Sequence, residues 1–117
     1  MSEIRGSRRK ARESALAYLY QSDLEVSPVT DDPKKFIRHF SVSDEAQEFF
    51  LKLVLGVKEH CRELDSKIEA AAENWKLYRL ESLDRSLLRM ATWEILYCPE
   101  TDFQVVIDEA IELAKEF

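Results

Sequence analysis

Five cations crowd the first dozen residues: Arg5, Arg8, Arg9, Lys10 and Arg12, with the apolar run ALAYLY close behind. A guanidinium presents a planar fork of donors that grips phosphate through two bonds, and its flat face stacks on an unpaired base. At about 100° per residue, Arg5, Arg8, Arg9 and Arg12 share one helical arc of about 100°, and Leu16 and Leu19 continue it. Guanidinium groups do not enter a core without partners. On this reading the first turns project past the body and display their cations, while the later turns dock. Single-stranded RNA offers both phosphates and unpaired bases. The plainer alternative is a solvated, solubilising end, because short basic runs are frequent and unspecific.

Other reactive residue types make no constellation. His39 and His60 stand apart with no paired nucleophile, which leaves general acid–base and nucleophilic chemistry without support. Cys61 and Cys98 lack CxxC spacing, and His60 beside Cys61 has no further ligand at metal spacing. The cysteines read as small apolar fillers. The sequence therefore calls for no metal, no cofactor and no catalytic residue: a binder, not an enzyme.

The body that must carry the arm has the size of one domain, 117 residues with 45% hydrophobic residues, two Gly and three Pro. No apolar run approaches the ~20 residues of a membrane span, and the charged start is unlike a secretory signal. The expected location is the cytoplasm. The net charge of -6 is unevenly spread: residues 1–12 hold five bases and one acid, the remainder 12 bases and 22 acids. A basic arm on an acidic body points to an anionic partner at the arm alone.

Apolar spacing predicts an all-α fold of about five helices. The first runs from about Ser7 or Arg8 to Leu24, and EVSPVTDDP ends it. Asp31 or Asp32 with Pro33 opens a short second helix through KKFIRHF. Ser43, Asp44 and Glu45 open a long third, striped by Phe50, Leu53, Val54, Val57, Cys61, Leu64, Ile68 and Ala71. A fourth, from about Glu81 to Tyr97, is apolar around so much of its circumference that it should pack on several sides. Thr101 or Asp102 caps a fifth, in which Glu109, Glu112 and Glu116 read as a solvated face, or else as a face for a basic protein. Trp75 and Trp93 read as core anchors. A division into residues 1–42, with the basic arm, and 43–117 follows.

The segment NWKLYRLESLDRSLLRMATWEILYCPETDFQVVIDEAIELAKEF, with LDRSLLRMATWEIL and VVIDEAIELAKEF as its most diagnostic blocks, resembles the transcription antitermination factor NusB family. The start RRKARESALAYLYQSDL is similar to the same family, whereas residues 25–73 agree mainly in helical layout. The resemblance implies an all-helical bundle of two small subdomains. It also implies binding of boxA RNA jointly with the ribosomal protein NusE, and loading onto RNA polymerase during ribosomal RNA transcription.

Arg8, Arg9, Lys10 and Arg12 match the family's RNA-binding arm, to which helical phase adds Arg5. Tyr20 and Asp84 match positions that bind RNA or NusE, and Phe117 an aromatic near the RNA. Simple packing is the alternative for Tyr20 and Phe117, a favourable helix-start charge for Asp84. Family members continue past the position of Phe117 through a Gly-containing link into a further helix. Without that helix, the Leu113 and Ala114 side of the fifth helix and part of the Leu87–Leu96 stretch should lose their cover, so an incomplete chain is the expectation. Two other readings stay open: the NusB-like domain of a ribosomal RNA cytosine methyltransferase, and a bundle that binds only proteins. Self-association as a homodimer is also left open.

Overall fold

A computed structural model describes the chain except residues 1, 25–31, 41 and 73–75; of Ser2–Arg5, Leu24, His39 and Phe40 it describes the backbone alone. The expectations for Trp75, for Asp31 and for the side chains of Arg5 and His39 therefore lie outside the described residues. The described fold is all-α, with α1 Ser2–Leu24, α2 Pro33–Phe40, α3 Asp44–Ala71, a 3-10 turn Leu77–Arg79, α4 Ser82–Tyr97 and α5 Phe103–Glu116. The first helix thus begins about one and a half turns before the Ser7 or Arg8 start read from the sequence.

Side-chain caps explain the starts of α2 and α5. Asp32 Oδ1 accepts the Lys34 N–H at 2.9 Å with Pro33 in the first turn of α2, and Asp102 Oδ1 accepts the Gln104 N–H at 2.8 Å ahead of α5. The Ser43 carbonyl takes the Ala46 and Gln47 N–H groups, and the Gln47 amide reaches back to the Val42 carbonyl at 3.0 Å.

The chain forms two compact units, Met1–Leu55 and Gly56–Phe117, with the boundary inside α3. In the first unit Ala11, Ala15, Leu16, Tyr18 and Leu19 of α1 are buried together with Phe36 of α2 and Phe49, Phe50, Leu53 and Val54 of α3. Three rings meet there. Tyr18 stands edge-on to Phe36 and Phe50, with centroids at 5.4 and 6.0 Å, while Phe36 and Phe50 stack at 5.4 Å. Such geometries add to the area term because ring edges are positive and faces negative.

In the second unit α4 and α5 pack on one another; α4 buries Ser82, Ser86, Met90, Trp93 and Glu94, and α5 buries Val106, Glu109 and Leu113. The Arg89 guanidinium grips Asp65 of α3 through two bonds of 2.7 and 2.9 Å. The 3-10 turn is tied at both ends, its Leu77 N–H donating to Glu69 at 3.0 Å and its carbonyls accepting from Arg85.

Four expectations need correction. The α3 stripe is buried through Leu64, but Cys61 and Ile68 are half-exposed and Ala71 exposed. The fourth helix, expected to pack on several sides, buries Ser82, Ser86, Met90, Trp93 and Glu94 but leaves Leu88, Ile95, Leu96 and Tyr97 exposed. Glu109 is buried, not solvated, because it falls in phase with Val106 and Leu113, whereas Glu112 and Glu116 are exposed. Leu113 retains its cover at 2% exposure, while Ala114 and much of the apolar surface of α5 are open. Trp93 is buried, as an anchor should be, and Cys98 fills core space.

The backbone of α3 leaves helical dihedrals at His60, whose imidazole stacks on Tyr97 at 4.4 Å. The Tyr97 hydroxyl donates to Glu63, and this bond, followed by partial desolvation and the Glu63 and Glu59 charges, raises the phenol above its ordinary 10.0. A raised phenol means that folding favours the protonated ring. Its stabilisation is complete below pH 10 and is lost as pH climbs from 10.0 towards the raised value. Alkaline unfolding curves should therefore fall more steeply for the wild-type chain than for Tyr97→Phe, and coincident curves would exclude the linkage.

Candidate nucleic-acid interface

The helix that carries the basic arm docks earlier than its charges suggest. Ala11 is already fully buried, and on the wheel Arg12 lies between Ala15 and Leu16, both fully buried. Arg12 is consequently buried at 4% exposure, which overturns the expectation that it is displayed with the rest of the arm. An aromatic ring is among its partners. The Arg12 guanidinium lies 5.4 Å from the centroid of the buried Phe49 ring on α3, and that of Arg8 lies 4.6 Å from it. A cation over a ring face is attracted to its negative quadrupole, by roughly 2 kcal/mol where water is excluded.

Moving outward along the arm, Arg8 is half-buried and Arg9, Lys10 and Gly6 are exposed. The cations actually presented by the described side chains are therefore Arg9 and Lys10, with Arg8 at the margin of the core. Tyr20, exposed on α1, shares the phase of Arg9 three turns away, with the half-buried Glu13 between them. This unit also exposes Lys34, Lys35 and Arg38 on α2, a second group of cations that attention to the arm overlooks. Charge is divided accordingly: residues 1–55 hold nine bases and nine acids, residues 56–117 eight bases and 14 acids.

Asp84 and Phe117 belong to the second unit. Asp84 is exposed in the first turn of α4, where a negative charge suits the helix dipole, and Phe117 is exposed at the end of α5. The structure thus gathers Arg8, Arg9, Lys10, Arg12 and Tyr20 on one helix and sets Asp84 and Phe117 in the other unit. Phe49 was missed because FF in a helical stripe reads as core; nothing local says which residue stacks on it. Among the described residues, no three His, Cys, Asp or Glu side chains converge as a metal site requires.

The sequence model of the NusB family matches residues 9–117. The chain belongs to the NusB family. Among its relatives, the transcription antitermination protein NusB of Elusimicrobium minutum is 46% identical over 115 residues, covering 96% of this chain and 81% of that protein. Among solved structures, NusB of T. maritima superposes with a TM-score of 0.80 at 31% identity, over 94% of this chain and 78% of the other. A chain in the crystal structure of a plectonemic RNA supercoil gives 0.83 at 27% identity, over 94% and 80%. The arm is largely inside the matched region, Arg9, Lys10 and Arg12 falling within it and Arg8 just ahead. These NusB relatives are named as transcription antitermination proteins, not as enzymes. Among the described residues, no helix is long and apolar enough to cross a membrane.

Proposed function

We propose that the chain is a noncatalytic antitermination factor that binds single-stranded boxA RNA together with the ribosomal protein NusE and joins RNA polymerase during ribosomal RNA transcription. The observation that carries this reading is the exposure of Arg9 and Lys10 beside Arg8 at the start of a docked helix, in a member of the NusB family. The arm offers phosphate-binding forks without burying the ligand, as suits a flexible single strand. Tyr20 and Phe117, both exposed, supply aromatic faces for a base or for NusE, and Asp84 supplies a carboxylate.

Burial of Arg12 reduces the expected number of phosphate contacts from the arm to about three. At roughly -0.7 per contact on a single strand, the log–log salt slope for boxA RNA should be about -2. Replacing Arg9 and Lys10 together by Ala should flatten the slope to about -0.7 and weaken binding about tenfold at low salt, with helicity unchanged. A slope indifferent to the double substitution would rule the arm out as the contact.

Reading the chain as a protein-binding bundle draws support from one observation: the exposed Phe103, Val105, Ile107 and Ile111 of α5. Titrations with RNA alone, NusE alone and both separate the two readings. Binding of NusE with no gain from RNA would favour the protein-only role.

A further inference from the structure

Phe49 stands on α3, outside the arm, yet its ring lies beneath both Arg8 and Arg12. We propose that Phe49 is a positioning residue for RNA binding, an aromatic floor that fixes the arm through Arg12 and aims Arg8 at a phosphate. The proposal rests on the RNA-binding reading above and deepens it by naming what orders the arm.

The two arginines are one helical turn apart on the same side of α1, so a single ring on the facing helix can serve both. Arg12 is the inner member. Its burial at 4% places the guanidinium where water cannot compete, and a cation held there keeps α1 in register against α3. Arg8 is the outer member. The shorter approach to Phe49, 4.6 Å, removes rotamer freedom from a long side chain while half of it stays open to solvent. An arginine ordered before the ligand arrives avoids the entropy of immobilisation, about 0.5–1.5 kcal/mol for a rotamer-rich side chain. Phe49 is buried at 7% exposure, so it acts on RNA through the arginines and not by stacking on a base itself.

The test uses the full chain and a short, fluorescently labelled single-stranded RNA carrying a boxA element. Phe49→Met keeps an apolar side chain of similar volume but removes the ring face. It should lower affinity about fivefold and make the salt slope shallower by up to about 0.7, one contact's worth. Phe49→Tyr, which restores the ring, should bind within about twofold of the wild-type chain.

Because Phe49 works in part through Arg8, the losses are less than additive: Arg8→Gln with Phe49→Met should lose less than the sum of the two single changes. Full additivity in that cycle, or wild-type affinity and slope in Phe49→Met, overturns the proposal. Should Phe49→Met fail to fold, the unaltered chain still decides the matter by NMR. Arg8 side-chain protons should be shifted upfield by the ring and should move on addition of RNA; resonances at random-coil positions overturn it. Arg9→Ala/Lys10→Ala separates the two levels. A wild-type chain with no RNA affinity sinks both readings, whereas RNA binding that this pair weakens and Phe49→Met leaves intact sinks only the role of Phe49.

Discussion

Phe50→Ala is expected to cost about 4 kcal/mol, the largest loss from any single truncation in the first unit. A fully buried Phe cut to Ala loses its transfer free energy and leaves a cavity, together about 3–5 kcal/mol. Phe50 sits at the upper part of that range because its ring stacks on Phe36 and receives the edge of Tyr18, contacts worth roughly 0.5–1.5 kcal/mol each beyond area. For a chain of this length, 4 kcal/mol is of the order of a 15 °C fall in melting temperature. It is also a large part of the total, since domains are stable by only about 5–15 kcal/mol. Thermal melts followed by circular dichroism test the figure. A fall of less than about 4 °C would mean that the three rings do not form the core described. The loss should exceed that of Phe49→Met, because Met refills the space that Ala leaves empty.

The second large effect is expected at Gly56, inside α3. An alanine in a helix interior is ordinarily favoured over glycine by about 1 kcal/mol, so intrinsic propensity alone makes Gly56→Ala stabilising. The structure reverses the sign. A Cβ on Gly56 would overlap the Trp93 indole, at its Cε2, Nε1 and Cζ2 atoms, and a buried indole can move only by displacing its own neighbours. Overpacking of this kind costs about 3 kcal/mol, leaving a net loss of about 2 kcal/mol. Trp93 Nε1, which faces Gly56, is buried without a hydrogen-bond partner among the described residues. Gly56→Ala should lower the melting temperature by about 8 °C and shift the tryptophan emission to the red as the indole is pushed outward. A more stable variant would show that propensity decides and that the indole does not rest on Gly56. Combining Gly56→Ala with Trp93→Phe should cost less than the two changes made separately, since the smaller ring makes room.

Much of the helical order can be read from local signals. Pro33 behind Asp32, Ser43 ahead of acidic residues, and Asp102 two residues after Cys98–Pro99–Glu100 each mark a start through groups adjacent in the chain. Burial of Arg12 could not be read that way. Its arc contains Leu16 and Leu19, which places it on the docking side, but the general cost of burying a charge argues the opposite. One of its partners is a ring 37 positions away, and no spacing rule links Arg12 to Phe49. Glu109 failed for a related reason. An acidic i, i+3, i+7 pattern looks solvated until the phase of Val106 and Leu113 is weighed against it. Gly56 is silent in the sequence, because one small residue in a helix gives no hint of the aromatic that needs its place.

Among the candidate residues, Arg9 and Lys10 are where sequence put them, in solvent on the first helix. Tyr20 and Phe117 are exposed aromatics, so packing does not account for either side chain in full. Asp84 fits the electrostatics of a helix start as readily as it fits a partner.

Dissolved ions screen the buried Arg12 guanidinium over Phe49 far less than they screen a charge in solvent. Arg9 and Lys10 stand in solvent, within reach of that screening. Rising electrolyte should therefore weaken attraction at the exposed end of the arm well before it loosens the helix from α3.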